Sequence, residues 1–90
     1  MIIEVYGKPD CGLCKSANRK IAHLLQKWSL DGAVQVVFRD METVEGAAEG
    51  DYFDVHQIPT VLLMQDGEHV LARWDGQAPP SDELRRRLSA

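Results

Sequence analysis

Residues 2–15 read IIEVYGKPDCGLCK. The apolar run at 2–6 is typical of a short strand, and residues 7–10 read as a turn. A pattern of helical period begins right after Cys11, so the C-x-x-C motif lies at a strand-to-helix turn. Free backbone N–H groups and the helix dipole stabilise a thiolate at that position. The sulfur of Cys14 lies about one helical turn further on, close enough to close a disulfide with Cys11.

Composition bounds the class of protein. The 90 residues suffice for one small domain, and we expect a single domain over residues 1–90. The formal charge of −4 offers no basic surface for nucleic acid. No apolar stretch approaches the roughly 20 residues of a membrane span, and the first residues lack the pattern of a secretory signal. A lone C-x-x-C in a chain of alternating strands and helices favours a cytosolic redox pair, so we expect a cytoplasmic protein.

Hydrophobic periodicity predicts the order strand, helix, strand, helix, strand, strand, helix. The predicted strands cover about 2–6, 34–39, 60–65 and 69–74, and the predicted helices cover 12–28, part of 41–55, and a stretch that begins near Ser81. Thr43 and Ser81 are the expected N-caps of the later helices. Gly46 and Gly50 should each weaken the second helix by about 1 kcal/mol relative to alanine. A parallel βαβ unit followed by a hairpin and a helix predicts an α/β fold, with a four-stranded mixed sheet flanked by helices on both faces.

This order of elements, with C-x-x-C at the first turn, resembles the thioredoxin superfamily. The tripeptide Ile58-Pro59-Thr60 before the third strand and the hairpin at Asp66-Gly67 belong to the same resemblance, which covers nearly the whole chain. In that superfamily the proline before the third strand is cis and faces the active-site disulfide. The resemblance therefore implies the same thioredoxin-like fold here and the same place for Pro59.

Two branches of the superfamily are echoed. The short length and Lys8 look like glutaredoxin, in which a lysine at this place often binds glutathione. The motif at 11–15, Cys-Gly-x-Cys-Lys, and residues 58–63 look like thioredoxin. Two thioredoxin features differ: the tryptophan before the first cysteine is Asp10 here, and the buried aspartate of the first strand is Val5. The chain thus resembles a small glutaredoxin-like or thioredoxin-like protein.

The resemblance also implies a substrate surface beside the sulfurs. Ile58 would pair main chain to main chain with a peptide or with glutathione, like a short added strand. Asp75-Gly76 loosely echoes the glycine-rich glutathione site of glutaredoxins, which places Gly76 at the same surface. The expected substrate-binding residues are Lys8, Ile58, Pro59 and Gly76.

The implied chemistry is dithiol–disulfide exchange, with Cys11 as the attacking thiolate and Cys14 as the resolving thiol. Lys8 and Lys15 favour the thiolate electrostatically, and Asp10 opposes it. We expect a monomer with no tightly bound cofactor, whose partners are disulfide-containing proteins. The substrates would be protein disulfides or glutathione mixed disulfides. Glutathione or a flavoprotein reductase would supply the electrons that regenerate the dithiol.

Two other functions remain open on the same fold. One is a metal or iron–sulfur binding module, although one C-x-x-C supplies only two of the four ligands of a structural zinc site. A cluster would need two chains and other thiols. The histidines show no ligand spacing with the motif, so no metal ligands are predicted. The other alternative is a non-catalytic interaction domain with an idle disulfide.

Overall fold

The computed structural model describes residues 1–89 and has the predicted order of elements. The strands are β1 (Ile2–Gly7), β2 (Gln35–Asp40), β3 (Thr60–Met64) and β4 (Val70–Asp75), and the helices are α1 (Gly12–Lys27), α2 (Val44–Tyr52) and α3 (Ser81–Leu88). The βαβαββα prediction is therefore confirmed. None of the helices within residues 1–89 has the length and apolar character that crossing a bilayer requires.

The four strands form one mixed sheet in the order β2-β1-β3-β4. β1 runs parallel to β2, and Val5 lies opposite Phe38. β1 and β3 are antiparallel, as are β3 and β4. The two central strands are covered on both faces, which explains why every residue of β3 is buried. β2 and β4 are the edges of the sheet.

Side chains of alternate parity leave β1 on opposite faces and meet different helices. Ile3 and Val5 belong to the larger core, which packs beneath α1 and α3. Its buried members are Ile3, Val5, Ile21, Leu24, Leu25, Val34, Val61, Leu63, Trp74 and Leu84. Tyr6 belongs to a smaller core on the α2 side, with Val55, Leu62 and Met64. Helices therefore flank both faces, as predicted.

The glycines of α2 have a packing role that helix propensity does not show. A Cβ on Gly46 would overlap the backbone carbonyl of Asp40, and one on Gly50 would lie 2.6 Å from Met41 Cε. Because Gly46 and Gly50 have no side chains, this nine-residue helix can lie close to the end of β2 and to Met41. Thr43 caps the helix as predicted, because its hydroxyl accepts a hydrogen bond from the Gly46 N–H at 3.0 Å.

The predicted N-cap of α3 is wrong. Pro80 is the N-cap residue, and Ser81 is already helical. The helix begins one residue early because the Pro80 carbonyl accepts the first helical hydrogen bond, from the Leu84 N–H at 2.9 Å. No side chain caps this end. The helix instead carries Asp82 and Glu83 in its first turn, where the helix dipole favours negative charge.

A buried ion pair lies on the α2 face of the sheet. The Glu4 carboxylate accepts hydrogen bonds from the Tyr6 hydroxyl at 3.0 Å and from Arg39 Nε at 2.7 Å. Arg39 Nη2 lies 2.6 Å from the same carboxylate, and Arg39 Nε also lies 3.3 Å from Glu49. Burial raises the pKa of Tyr6 well above its ordinary value, and the neighbouring Glu4 charge adds to that effect. The cluster joins β1 to β2 through side chains as well as through the backbone.

Candidate active site

The two sulfurs lie at the start of α1. Cys11 and Cys14 form a disulfide with their Cα atoms 5.2 Å apart. Cys11 is the N-cap residue of α1, with an extended backbone, and its Sγ accepts a hydrogen bond from the Cys14 N–H at 3.1 Å. Cys14 is completely buried, whereas Cys11 is partly exposed. The first sulfur is therefore the accessible one, as expected from the sequence.

The loop before α1 holds Cys11 in place through its backbone. The Cys11 N–H donates to the Lys8 carbonyl, and the Lys15 N–H donates to the Cys11 carbonyl, each at 3.1 Å. The first turn of α1 carries no acidic residue. Lys8 and Asp10 are exposed on this loop. A thiolate on Cys11 would thus keep the Cys14 N–H as a donor at the positive end of the helix dipole.

Gly7 is a site residue that the sequence patterns did not identify. It is the last residue of β1, on the face that α1 covers, and a Cβ there would lie 2.6 Å from both the Cβ and the Sγ of Cys14. Cβ atoms in folded proteins essentially never approach other atoms that closely, so one of the two residues would have to move. The absence of a side chain at Gly7 is therefore what allows the buried cysteine to pack against the end of β1. The signal in the sequence was a glycine that immediately precedes the motif loop.

We expect Gly7→Ala to destabilise the protein by about 1–3 kcal/mol, the usual cost of overpacking. The added methyl group must push the first turn of α1 away from β1, because Cys14 has no free space around it. Chemical denaturation measures the change in free energy of unfolding. Gly12→Ala is the matched control, because nothing lies within 4 Å of a Cβ at that position. Equal stability of the two variants would contradict this account of Gly7.

Residues 57–59, which we call the cis-proline loop, precede β3 and lie beside the first turns of α1. The Ile58–Pro59 peptide bond is cis, as the resemblance implied, and Pro59 is fully buried. Pro59 lines a surface cavity of about 250 Å³ next to the motif, which we call the cis-proline cavity. The lining residues are Leu13, Ser16, Ala17 and Lys20 from α1, with Pro59, Gly76, Gln77 and Ala78 opposite. Two of the expected substrate-binding residues, Pro59 and Gly76, are thus brought together here.

The other two expected contacts lie elsewhere. Lys8 is on the loop that precedes α1, and Ile58 is half-buried next to Pro59, and neither lines this cavity. The sequence patterns missed Leu13, one of the two residues between the cysteines, which lines the cavity and is 71% exposed. They also missed Lys20, whose ammonium donates to the Pro79 carbonyl at 3.0 Å and ties α1 to the loop before α3.

The cis-proline loop lies close to the end of β4 and to Gly76. The Thr60 hydroxyl donates to the Gln57 carbonyl at 2.7 Å. Gly76 has a φ of +77°, and a Cβ there would lie 2.5 Å from the Gln57 amide oxygen, so glycine is required on both grounds. Arg73 donates to Asp75 at 2.8 Å, and this hydrogen bond holds the pKa of Asp75 below its usual range. The Thr60 hydroxyl also donates to Asp75 at 3.5 Å, which joins the start of β3 to the end of β4 beside the cavity.

Metal binding has no preformed site in the part of the chain that the structure describes. No group of three or more His, Cys, Asp or Glu side chains within residues 1–89 is arranged to hold an ion. The His56 side chain is exposed and its Nε2 lies 3.9 Å from the Asp54 carboxylate.

Comparison with known proteins places the fold and the family. The thioredoxin family model matches residues 1–90. Thioredoxin 1 of Thermosipho africanus superposes with a TM-score of 0.67 at 21% identity, over 99% of this chain and 91% of that chain. Mitochondrial thioredoxin 3 of Saccharomyces cerevisiae, in its oxidised form, gives 0.73 at 21% identity, over 99% and 77%. Thioredoxin-2 of a malaria parasite gives 0.75 at 19% identity, over 98% and 80%.

A search of curated protein sequences gives no significant match. The structural likenesses establish the fold, and the family model settles the branch that the motifs left divided between thioredoxin and glutaredoxin. The motif that carries the family's exchange chemistry is intact, and its cysteines are within bonding distance at the start of α1. The chain belongs to the thioredoxin family of thiol–disulfide oxidoreductases.

Proposed function

We propose that this protein reduces disulfides in other proteins by a two-step exchange, with Cys11 as nucleophile and Cys14 as resolving thiol. The observation that carries the proposal is the position of Cys11, a partly exposed N-cap residue whose Sγ accepts a hydrogen bond from the Cys14 N–H. A thiolate is favoured there by a backbone donor and by the helix dipole. Cys14 is shielded from external disulfides by burial and reacts only with its neighbour.

The electrons balance over the cycle. The Cys11 thiolate attacks one sulfur of the substrate disulfide, which forms a mixed disulfide and releases the other substrate sulfur as a thiolate. The Cys14 thiolate then attacks Cys11 Sγ, which forms the Cys11–Cys14 disulfide and releases the second substrate thiol. The substrate has gained two electrons, and the enzyme has lost two. A flavoprotein reductase or glutathione would restore the dithiol, and a reducing compartment such as the cytoplasm suits this cycle.

Substrate would bind along the cis-proline loop. Pro59 and Gly76 line the cavity beside the motif. Ile58 directly precedes Pro59, and Lys8 would contact a substrate from the loop before α1. The main chain of Ile58 would pair with an extended segment of the substrate. The exposed Leu13 side chain adds apolar contact. We propose that one domain over residues 1–90, acting as a monomer, suffices for this reaction.

The lining of this cavity favours protein disulfides over glutathione mixed disulfides. Glutathione carries two carboxylates, which need cations or N–H donors when they are bound. Lys20 is the one cation among the lining residues, and its ammonium already donates to the Pro79 carbonyl. A peptide that contributes main-chain and apolar contacts makes fewer demands of this surface.

Insulin reduction tests the proposal. With dithiothreitol as reductant, the protein should accelerate the reduction of insulin disulfides, and its kcat/KM for insulin should exceed that for a glutathionylated cysteine substrate by about tenfold or more, or about 1.4 kcal/mol. A preference for the glutathionylated substrate would instead indicate glutaredoxin-type activity. No acceleration with either substrate, together with iron and visible absorption in anaerobically purified protein, would favour the cluster-binding alternative.

A further inference from the structure

A second surface cavity lies on the side of α1 that faces away from Pro59. It measures about 450 Å³ and is lined by Pro9, Lys15, Asn18, Arg19 and Phe38. We call it the basic cavity. Residues 15, 18 and 19 lie on a different side of the helix from residues 13, 17 and 20, which line the cis-proline cavity. Lys15 directly follows the motif and Pro9 lies two residues before it, so the basic cavity borders the active site from the other side.

The charge of the basic cavity is opposite to that of the protein. The chain has a formal charge of −4, yet this cavity is lined by two cations and no carboxylate. Lys15 and Arg19 are four residues apart on α1 and are both exposed. Among residues 1–89, neither forms an ion pair, and the same is true of Lys8 on the adjoining loop. Asp10 is the carboxylate nearest to them in the motif loop, and it is exposed.

Besides Pro9 and the two cations, Phe38 and Asn18 line the basic cavity. Phe38 is half-buried on β2, which is an edge strand, so no further strand covers it in residues 1–89. The Asn18 side-chain oxygen is buried and has no hydrogen-bond partner within those residues. Buried acceptors are rarely left without a donor. The Phe38 ring and the two exposed cations are therefore the contacts that this cavity offers to a partner.

We propose that the basic cavity docks an acidic segment of the protein whose disulfide Cys11 attacks, with an apolar side chain of that segment on Phe38 and Pro9. Its carboxylates would face Lys15 and Arg19. The proposal rests on the proposed function and adds the chemistry of the partner to it. Complementary charge at the border of the active site raises the rate of productive encounter more than it raises the final affinity. The preference should therefore be strongest at low ionic strength.

Two synthetic disulfide peptides test the docking. They share one core sequence and differ in their flanks, which are glutamate-rich in one and lysine-rich in the other. At low ionic strength, kcat/KM should favour the glutamate-flanked peptide by about tenfold, and 0.5 M salt should reduce this preference to about twofold or less, because the charges are exposed and screened. Arg19→Glu should abolish or reverse the preference. It should leave the reduction of a small uncharged disulfide unchanged.

Lys27→Glu is the matched control. Lys27 is exposed in the last turn of the same helix. Its replacement by glutamate changes the net charge of the protein by the same amount as Arg19→Glu. It should leave the preference within about twofold of the wild type, since it is far from the basic cavity. Thermal melting of both variants shows whether α1 is intact.

Equal kcat/KM for the two peptides in the wild type would overturn the docking proposal, and so would an equal loss of preference in Lys27→Glu and Arg19→Glu. A dimer in sedimentation that Arg19→Glu dissociates, without any peptide preference, would assign the surface to a second copy instead. Failure to reduce even the small disulfide would contradict the proposed function rather than the docking.

Discussion

Cys11→Ser is expected to reduce insulin reduction to the uncatalysed background, whereas Cys14→Ser keeps the first chemical step and stops there. Cys11 is the partly exposed sulfur at the N-cap, so its loss removes the only thiol that an external disulfide can reach. Without Cys14 the mixed disulfide forms but has no internal thiol to resolve it. Cys14→Ser should therefore accumulate a covalent complex with the substrate.

Intact-protein mass spectrometry measures that complex, and turbidity of reduced insulin measures turnover. Alkylation of the reduced wild type with iodoacetamide provides an independent comparison, because the thiolate that is better stabilised and more accessible reacts first. Cys11 should be modified before Cys14. Faster alkylation of Cys14, or a trapped complex with Cys11→Ser and none with Cys14→Ser, would reverse the two roles.

The largest expected effect on stability comes from Arg39→Met. This change leaves the Glu4 carboxylate buried without its cation, because the Glu4 side chain is 5% exposed and its other partner is the neutral Tyr6 hydroxyl. Breaking a buried ion pair from one side costs about 3–5 kcal/mol, and the 34% exposure of Arg39 favours the lower end. For a domain of this size, about 3 kcal/mol lowers the melting temperature by roughly 12–24 °C.

Two further variants separate the buried charge from other effects. Glu49→Gln removes only the exposed partner of Arg39 at 3.3 Å, and we expect it to cost less than about 1 kcal/mol. The double variant Glu4→Gln with Arg39→Met removes both charges, and it should be more stable than Arg39→Met alone. If Arg39→Met melted within about 3 °C of the wild type, the buried pair would not contribute as argued.

Local patterns account for what could be predicted of the fold. The apolar run of β1, the helical period of α1 and the Asp66-Gly67 turn depend on residues that are close in the sequence. Short connections between such elements allow few sheet topologies. Cys11 as the N-cap of α1 follows from the same local logic. Pro59 next to the motif did not follow from pattern and depended on the family resemblance.

Contacts between distant residues account for what the patterns missed. Helix propensity predicts that Gly46 and Gly50 lower the stability of α2. In the fold, the absence of their side chains leaves room for Asp40 and Met41. Serine is a residue type favoured at N-caps, but the first helical hydrogen bond of α3 is accepted by the Pro80 carbonyl, so Pro80 and not Ser81 is the N-cap. Glu4 lies in the predicted first strand, and only the pairing of β1 with β2 reveals its bond to Arg39, 35 residues away.

The chain's own residue order was enough to fix the βαβαββα arrangement and to place a reactive cysteine pair at the beginning of α1, because backbone period, capping and turn chemistry depend on near neighbours. Tertiary packing alone decided how Gly7 meets Cys14 and where the Glu4–Arg39 pair forms. It also decided that the cis-proline cavity lies on one side of α1 and the basic cavity on the other. Those features depend on sheet register and on the face of each helix that turns inward, which only the folded chain brings into contact.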